Sequence, residues 1–318
     1  MFRLPGEGVP HRDFFLAVAV TVYCFYYGSR DLGDWLIRCV YLCRCPVLYY
    51  YSRLGRLPGA LVFVLSLIVV SITLRGLSLQ TGLVFFPLLG FLGVVLSEVL
   101  RKNCSIERTV IYCGGILLSL GLAVLMYLSL TSSTMPWSVI GTHISVVVQE
   151  NIDMYSRAGI SPQNIELIRE NADLITRALV GLFPSIVFVG TIFLVWVNIL
   201  TGKWLFKKKG MWYPSFGDLS LWKTFDKTVW LVVIAGVFIL IPSQGFRILG
   251  LNIMIVLLFI YMLQGLAIVS FFFKRKNVPV ILRAFGYFLI FAQQFLIFIV
   301  AGLGLIDTWT DFRKLGKK

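Results

Sequence analysis

The sequence predicts an all-α, polytopic membrane protein with about eight or nine spans and a partly helical extracytoplasmic segment. Three observations predict it. Hydrophobic residues fill 58% of the 318 positions and charged residues only 14%, where a soluble domain carries about 25% charged. The apolar residues fall in runs of roughly 17–25, the length that crosses a hydrocarbon core of ~30 Å. The runs do not alternate in polarity, as the strands of a membrane β-barrel do. A mean hydropathy of +0.87 agrees.

The net charge is +14. The basic residues cluster at the ends of apolar runs, where they set topology and meet anionic lipid. No RNP, zinc-finger or helix-turn-helix pattern accompanies them, so the expected partner is the lipid bilayer and not nucleic acid. The six cysteines are Cys24, Cys39, Cys43, Cys45, Cys104 and Cys113. They read as small apolar residues in or beside spans. With no CxxC pair and only His11 and His143 to help, the sequence gives no metal site and no cofactor.

The chain reads as a single membrane domain over 1–318. Its early spans fill 13–130. The first is Phe14–Tyr27, an uncleaved span because no small-x-small site follows it. Trp35–Tyr51 holds Arg38, Arg44 and Pro46. A charge at the bilayer centre costs ~2.5–3.5 kcal/mol even on the lenient insertion scale. This segment is therefore either packed in a bundle with its arginines in a polar cavity or partly interfacial. Spans follow at Gly59–Leu74 and Gly82–Leu100. Glu98, one turn before Arg101 and Lys102, pairs at the interface or faces a cavity. The span Thr109–Leu130 carries Gly114, Gly115 and Gly121, residues that let helices approach closely.

Residues 131–177 form the long polar, extracytoplasmic segment. Ile140, Ile144, Val147 and Val148 make one helical stripe; Ile165, Ile168, Ala172, Ile175 and Leu179 make another. Ser161-Pro162 predicts the start of the second helix, a hydroxyl cap and then proline. That helix should continue unbroken into the span Ala178–Leu200, kinked near Pro184. The segment either rests on the bundle or forms a lid. Later spans fill 178–318. The loop 202–227 mixes six lysines with Trp204, Trp212, Tyr213 and Trp222, as a cytoplasmic headgroup zone does. Val229–Ile241 is the seventh span. Ile248–Phe273 and Val278–Leu305 are the last two, separated by Lys274-Arg275-Lys276.

Placing the N-terminus inside puts most lysines and arginines inside. Nine spans then leave the basic tail Arg313–Lys318 outside, against the rule. One apolar run therefore does not cross, or the rule fails there. No HExxH, GxSxG or GxxxxGK[ST] occurs, and no paired acid and base, so no enzyme is expected.

The C-terminal residues carry a resemblance. Gln264-Gly265-Leu266-Ala267-Ile268-Val269 with Phe271–Phe273 and Lys274-Arg275 form one stretch. Gly302–Asp307 with Trp309, Asp311, Phe312 and Arg313 form another. Pro184, Asn198, Trp212-Tyr213-Pro214 and Trp222 add to them. Together these resemble the YybS-like family of bacterial multi-pass membrane proteins, a domain of unknown function. That family is in turn distantly similar to the substrate-capturing S-components of energy-coupling-factor transporters. The resemblance implies residence in the bacterial inner membrane and S-component-like early spans. It also implies a small-solute binding or transport subunit that borrows ATPase or transmembrane coupling subunits. The alternative is a scaffold or regulator docking a cytoplasmic partner or anionic lipid through basic loops. Candidate cavity residues are Arg38, Arg44, Glu98 and Gln264. Gly265, Asp307, Asp311 and Arg313 read as structural: Gly265 for close helix approach, the others as a local salt bridge and cap.

Overall fold

The structure is a computed structural model that describes residues 11–29, 46–76, 85–159 and 161–313. Among the described residues it is all-helical, with no strand. The helices are α1 (His11–Ser29), α2 (Pro46–Leu54), α3 (Arg56–Gly76), α4 (Phe85–Arg101), α5 (Ile106–Thr131) and α6 (Pro136–Arg157). They continue with α7 (Pro162–Glu170), α8 (Ala172–Lys208), α9 (Thr228–Leu240), α10 (Gln244–Arg275), α11 (Val280–Ala292) and α12 (Gln294–Thr310). A single 3₁₀ turn, Leu219–Leu221, lies between α8 and α9.

Three of these, α5, α8 and α10, are long and apolar enough to cross a membrane. α11 and α12 add a fourth only as one broken span, because they are bent by 104°. Eight or nine full spans are therefore not found among the described residues. Two expected spans change character. The helix before Pro242, α9, has 13 residues and is ~20 Å long, short of a core of ~30 Å. The run Val278–Leu305 is two helices. Gln293 takes an extended conformation, φ −111° and ψ 109°, which closes α11 and opens α12. No proline or glycine marks that break.

The 131–177 segment forms helices as its periodicity requires, with two changes. Of the expected stripe on α6, Ile140 is buried and Val147 is exposed; Val139 and Ile152 are the other buried residues. The second helix does not run on into the span. It ends at Glu170, and the Asn171 side chain donates to Leu167 O at 2.8 Å, competing with the backbone. Ser161 precedes the first-turn proline, but its hydroxyl makes no capping hydrogen bond.

The packing forms two compact units. The first comprises Met1–Gly121 and Gly190–Phe216. Its cores join Val47 and Val70 with Phe63, Leu67 and Val94, and Ala17 with Tyr50 and Val62. The glycines of α5 do not serve as expected: a Cβ at Gly114, Gly115 or Gly121 would meet nothing within 4 Å.

The second unit comprises Leu122–Val189 and Gly217–Lys318. Here Pro184 interrupts the donors of α8. Asn252 of α10 bridges the gap: it accepts from Ser185 N at 2.9 Å and donates to Gly181 O at 2.8 Å. Those are the two groups that an uninterrupted helix joins directly. In lipid such a carbonyl has no water to turn to, so a side-chain amide must serve it.

The closest approach in this unit is α10 against α12. A Cβ on Gly265 would sit 1.9 Å from Val300 O, and one on Gly304 would sit 2.0 Å from Tyr261 O. Around this contact Met262, Leu266, Val300 and Ala301 form a buried cluster with Ile290 of α11. The α12 contacts at Val300, Gly304 and Asp307 all meet α10 within Tyr261–Leu266. α12 thus packs directly against the middle of α10.

Enlarging Gly265 to leucine should therefore force the helices apart. The overpacking cost is about 1–3 kcal/mol or more, read as a lowered unfolding midpoint in detergent. Gly302→Ala, where a Cβ meets nothing within 4 Å, should leave the midpoint unchanged or slightly raised.

Candidate functional site

Polar chemistry collects at three places, two in the first unit and one in the second. Arg38 and Arg44, with Cys39, Cys43 and Cys45, lie outside the described residues.

Glu98 sits three residues from the end of α4. Arg56 of α3 grips it with Nε to Oε1 at 3.1 Å and Nη2 to Oε2 at 2.9 Å. The Tyr51 hydroxyl donates to Oε1 at 3.0 Å, and Arg101 lies 3.7 Å away. Beneath them the hydroxyls of Ser52 and Ser97 meet at 2.7 Å. Arg101 was the partner expected from spacing. Arg56, 42 residues away in sequence, was not, because nothing in the local pattern links α3 to α4. The Arg56 side chain is 69% exposed, so the pair belongs with the surface ion pairs, which contribute little to stability.

The second place is the C-terminal end of α8. Lys203, Lys207, Lys208 and Lys209 are all exposed. The helix stops in a Schellman motif. Met211 N donates to Phe206 O at 2.9 Å and Gly210 N to Lys207 O at 3.3 Å, with Gly210 at φ +64°. The chain beyond is fastened back. Tyr213 OH donates to Ile199 O at 2.7 Å, and its ring packs edge-on to Phe206, 5.4 Å between centroids. Lys208 lies over the Trp204 ring at 5.2 Å. The lysines occupy the negative end of the helix dipole, which favours them there.

The third place joins the C-terminal signature residues. Asp307 and Arg313 pair at 2.8 Å, and neither side chain has any solvent exposure. The second carboxylate oxygen of that pair also accepts from Gln264 Nε2 at 3.1 Å, while Oδ1 takes Phe312 N at 2.9 Å. Arg313 in turn donates to Ser220 O at 2.9 Å and Trp222 O at 2.8 Å. Gln264 Oε1 accepts from Thr224 N at 3.2 Å. Asp311 caps α12 in the left-handed region, φ 43°, and its N–H reaches Asp307 O at 3.1 Å. The network thus ties the loop 218–224 to α10 and α12.

That loop is the part sequence reasoning missed. Asp218 opens the 3₁₀ turn by accepting from Ser220 N at 3.0 Å, and it is ion-paired with Lys274. The hydrogen bond from Lys274 holds the Asp218 carboxyl down at about 2, against partial burial, which pushes it up. Loop carbonyls recruited by a distant arginine leave no trace in sequence spacing. Gln264 and Glu98 both have their polar atoms engaged by the protein itself. No group of three His, Cys, Asp or Glu suited to a metal occurs among the described residues.

The sequence profile of a family described as Predicted membrane protein, DUF2232, matches residues 40–308. The match covers most of the chain, which belongs to that family. No curated protein matches the chain, and no solved structure matches it.

Asp307→Asn should leave the Arg313 guanidinium buried without its counter-charge. Breaking one side of a buried pair costs about 3–5 kcal/mol. The unfolding midpoint in detergent should fall accordingly, and Asp307→Asn/Arg313→Met should recover part of the loss. The Asp218–Lys274 tie should depend on pH. Because the Asp218 pKa is depressed from 3.8 to about 2, its stabilisation is complete above the unfolded value and is lost as pH falls through the folded one. The gap in melting temperature between the wild type and Asp218→Asn should close between roughly pH 4 and 2. A gap that stays constant over that window would count against the tie.

Proposed function

We propose that this DUF2232 membrane protein is a non-enzymatic scaffold of the bacterial inner membrane that docks an acidic cytoplasmic partner. The observation that carries the proposal is the end of α8. Four exposed lysines stand on its last turns, and the Schellman motif with Tyr213 fixes the chain that follows. Docking through a pre-ordered cationic end avoids the entropy of ordering a loop on binding. Charge complementarity with an acidic surface then sets both association rate and choice of partner.

A second reading has one observation in its favour. Glu98, Arg56 and Tyr51 gather two charges and a hydroxyl in the early spans, the part that resembles an S-component. In that reading the chain binds a small solute near Glu98 and borrows ATPase and transmembrane coupling subunits.

Cross-linking and mass spectrometry on the full chain in native membranes separates the two. In the scaffold reading, Lys207→Gln/Lys208→Gln/Lys209→Gln should reduce cross-links to an acidic partner by about tenfold. Cross-links that persist at wild-type yield sink it. A stoichiometric small molecule seen by native mass spectrometry and lost in Glu98→Gln would establish the second reading instead.

A further inference from the structure

We infer that the apolar run after α10 enters and leaves the membrane on one face, and that the cations it thereby gathers take the phosphates of anionic phospholipids. Two ends of chain carry the topology. Lys274, at the close of α10, donates to Ser220 Oγ at 3.4 Å. Arg313, beyond α12, donates to the carbonyl of the same Ser220 at 2.9 Å. Groups that share one residue as a partner do not lie on opposite sides of a core ~30 Å thick. The chain between them has therefore come back to the face it left.

The helices agree. α11 has 13 residues, a rise of ~20 Å. It meets α12 at a bend of 104°. α12 then packs against the middle of α10, at Tyr261–Leu266, before Arg313 reaches Ser220. The conflict raised by the basic tail disappears. Arg313, the last described residue, lies at the same Ser220 as Lys274, on the face that the positive charge bias favours for both.

Lys223 and Lys227 join that face through the loop 217–227. Among the described residues Asp226 pairs with Lys223 and Asp218 with Lys274. Lys227, Arg275 and Lys276 are exposed. Phe225, Trp230 and Trp309 are also exposed, at 85%, 67% and 66%. An acidic protein would match the charge alone. A leaflet of anionic lipid matches both, since its phosphates meet the cations and its headgroup zone takes the aromatic rings.

The topology is tested with a membrane-impermeant amine reagent on sealed native vesicles of one orientation, read by mass spectrometry before and after lysis. Lys227, Lys276 and Lys317 or Lys318 should be labelled together or protected together. Labelling of Lys276 with protection of Lys317 and Lys318, or the reverse, overturns the inference. The lipid assignment is tested on the purified full chain in mixed micelles of phosphatidylglycerol and phosphatidylcholine. Phosphatidylglycerol should be retained in preference and released as salt rises. Lys227→Gln/Arg275→Gln/Lys276→Gln should lower its retention by about tenfold with phosphatidylcholine unchanged. Equal retention of the two lipids by the wild type, insensitive to salt, overturns the assignment whether or not the variant folds.

Discussion

Asp307 is a carboxylate with no solvent contact, and much of the C-terminal unit follows from that. Removing a carboxylate from water costs several kcal/mol even after relaxation, so its oxygens must find donors within the protein. Three converge on it: Arg313 from beyond the helix, Gln264 from α10 and the backbone N–H of Phe312. Arg313 is itself a buried cation with five donors to place. It places three of them, on Asp307 and on the carbonyls of Ser220 and Trp222, while its buried Nε has no partner among the described residues. The loop 218–224 owes its position to a charge on a helix more than eighty residues further along the chain.

The close helix contact is a condition of that network. A glutamine reaches an aspartate on another helix at 3.1 Å only if the two backbones come close. Gly265 and Gly304 allow this, because a Cβ on either would fall on a carbonyl of the facing helix. Sequence Gln264-Gly265 on one side and Gly304 with Asp307 on the other is thus a matched set, two residues for approach and two for bonding. The same logic operates beside Pro184, where the Asn252 amide serves Ser185 N and Gly181 O in α8. In both places a polar side chain within an apolar helix closes a deficit made elsewhere.

Much of this was legible. Composition and run length gave helices and a membrane, and the family match agrees with both. The end of α10 and the motif after Gly302 stood out as the least generic residues, and the structure joins them. What could not be read was where apolar runs break. Gln293 and Gln294 interrupt Val278–Leu305 with no proline or glycine, and a hydropathy window passes over two amides. The run Val229–Ile241, by contrast, shows its shortness in the sequence, since Pro242 ends it, and the helix there has 13 residues. Asn171 broke an expected continuous helix for a local reason, a side chain taking the carbonyl of Leu167. Tertiary partners were least legible of all. Arg56 for Glu98 and Ser220 for Arg313 are long-range pairs with no periodicity to announce them.

The distribution of satisfied and unsatisfied charge argues for where this chain meets other molecules. A residue that recognises a ligand in a cavity needs donors or acceptors aimed at the ligand. Gln264 uses its carbonyl on Thr224 and its amide on Asp307, so a ligand there would have to displace backbone and carboxylate together. Glu98 accepts three hydrogen bonds from Arg56 and Tyr51 and would give up a paired guanidinium to bind anything else. The lysines at the end of α8, and Lys227, Arg275 and Lys276, are in the opposite position. They are exposed, and their charge meets a partner without first breaking a buried network. Recognition at such places loses only solvent and side-chain freedom, and it is screened by salt as internal pairs are not. Internal polar residues hold the helices together and basic ends face outward, which is the division of labour that the proposed docking role requires.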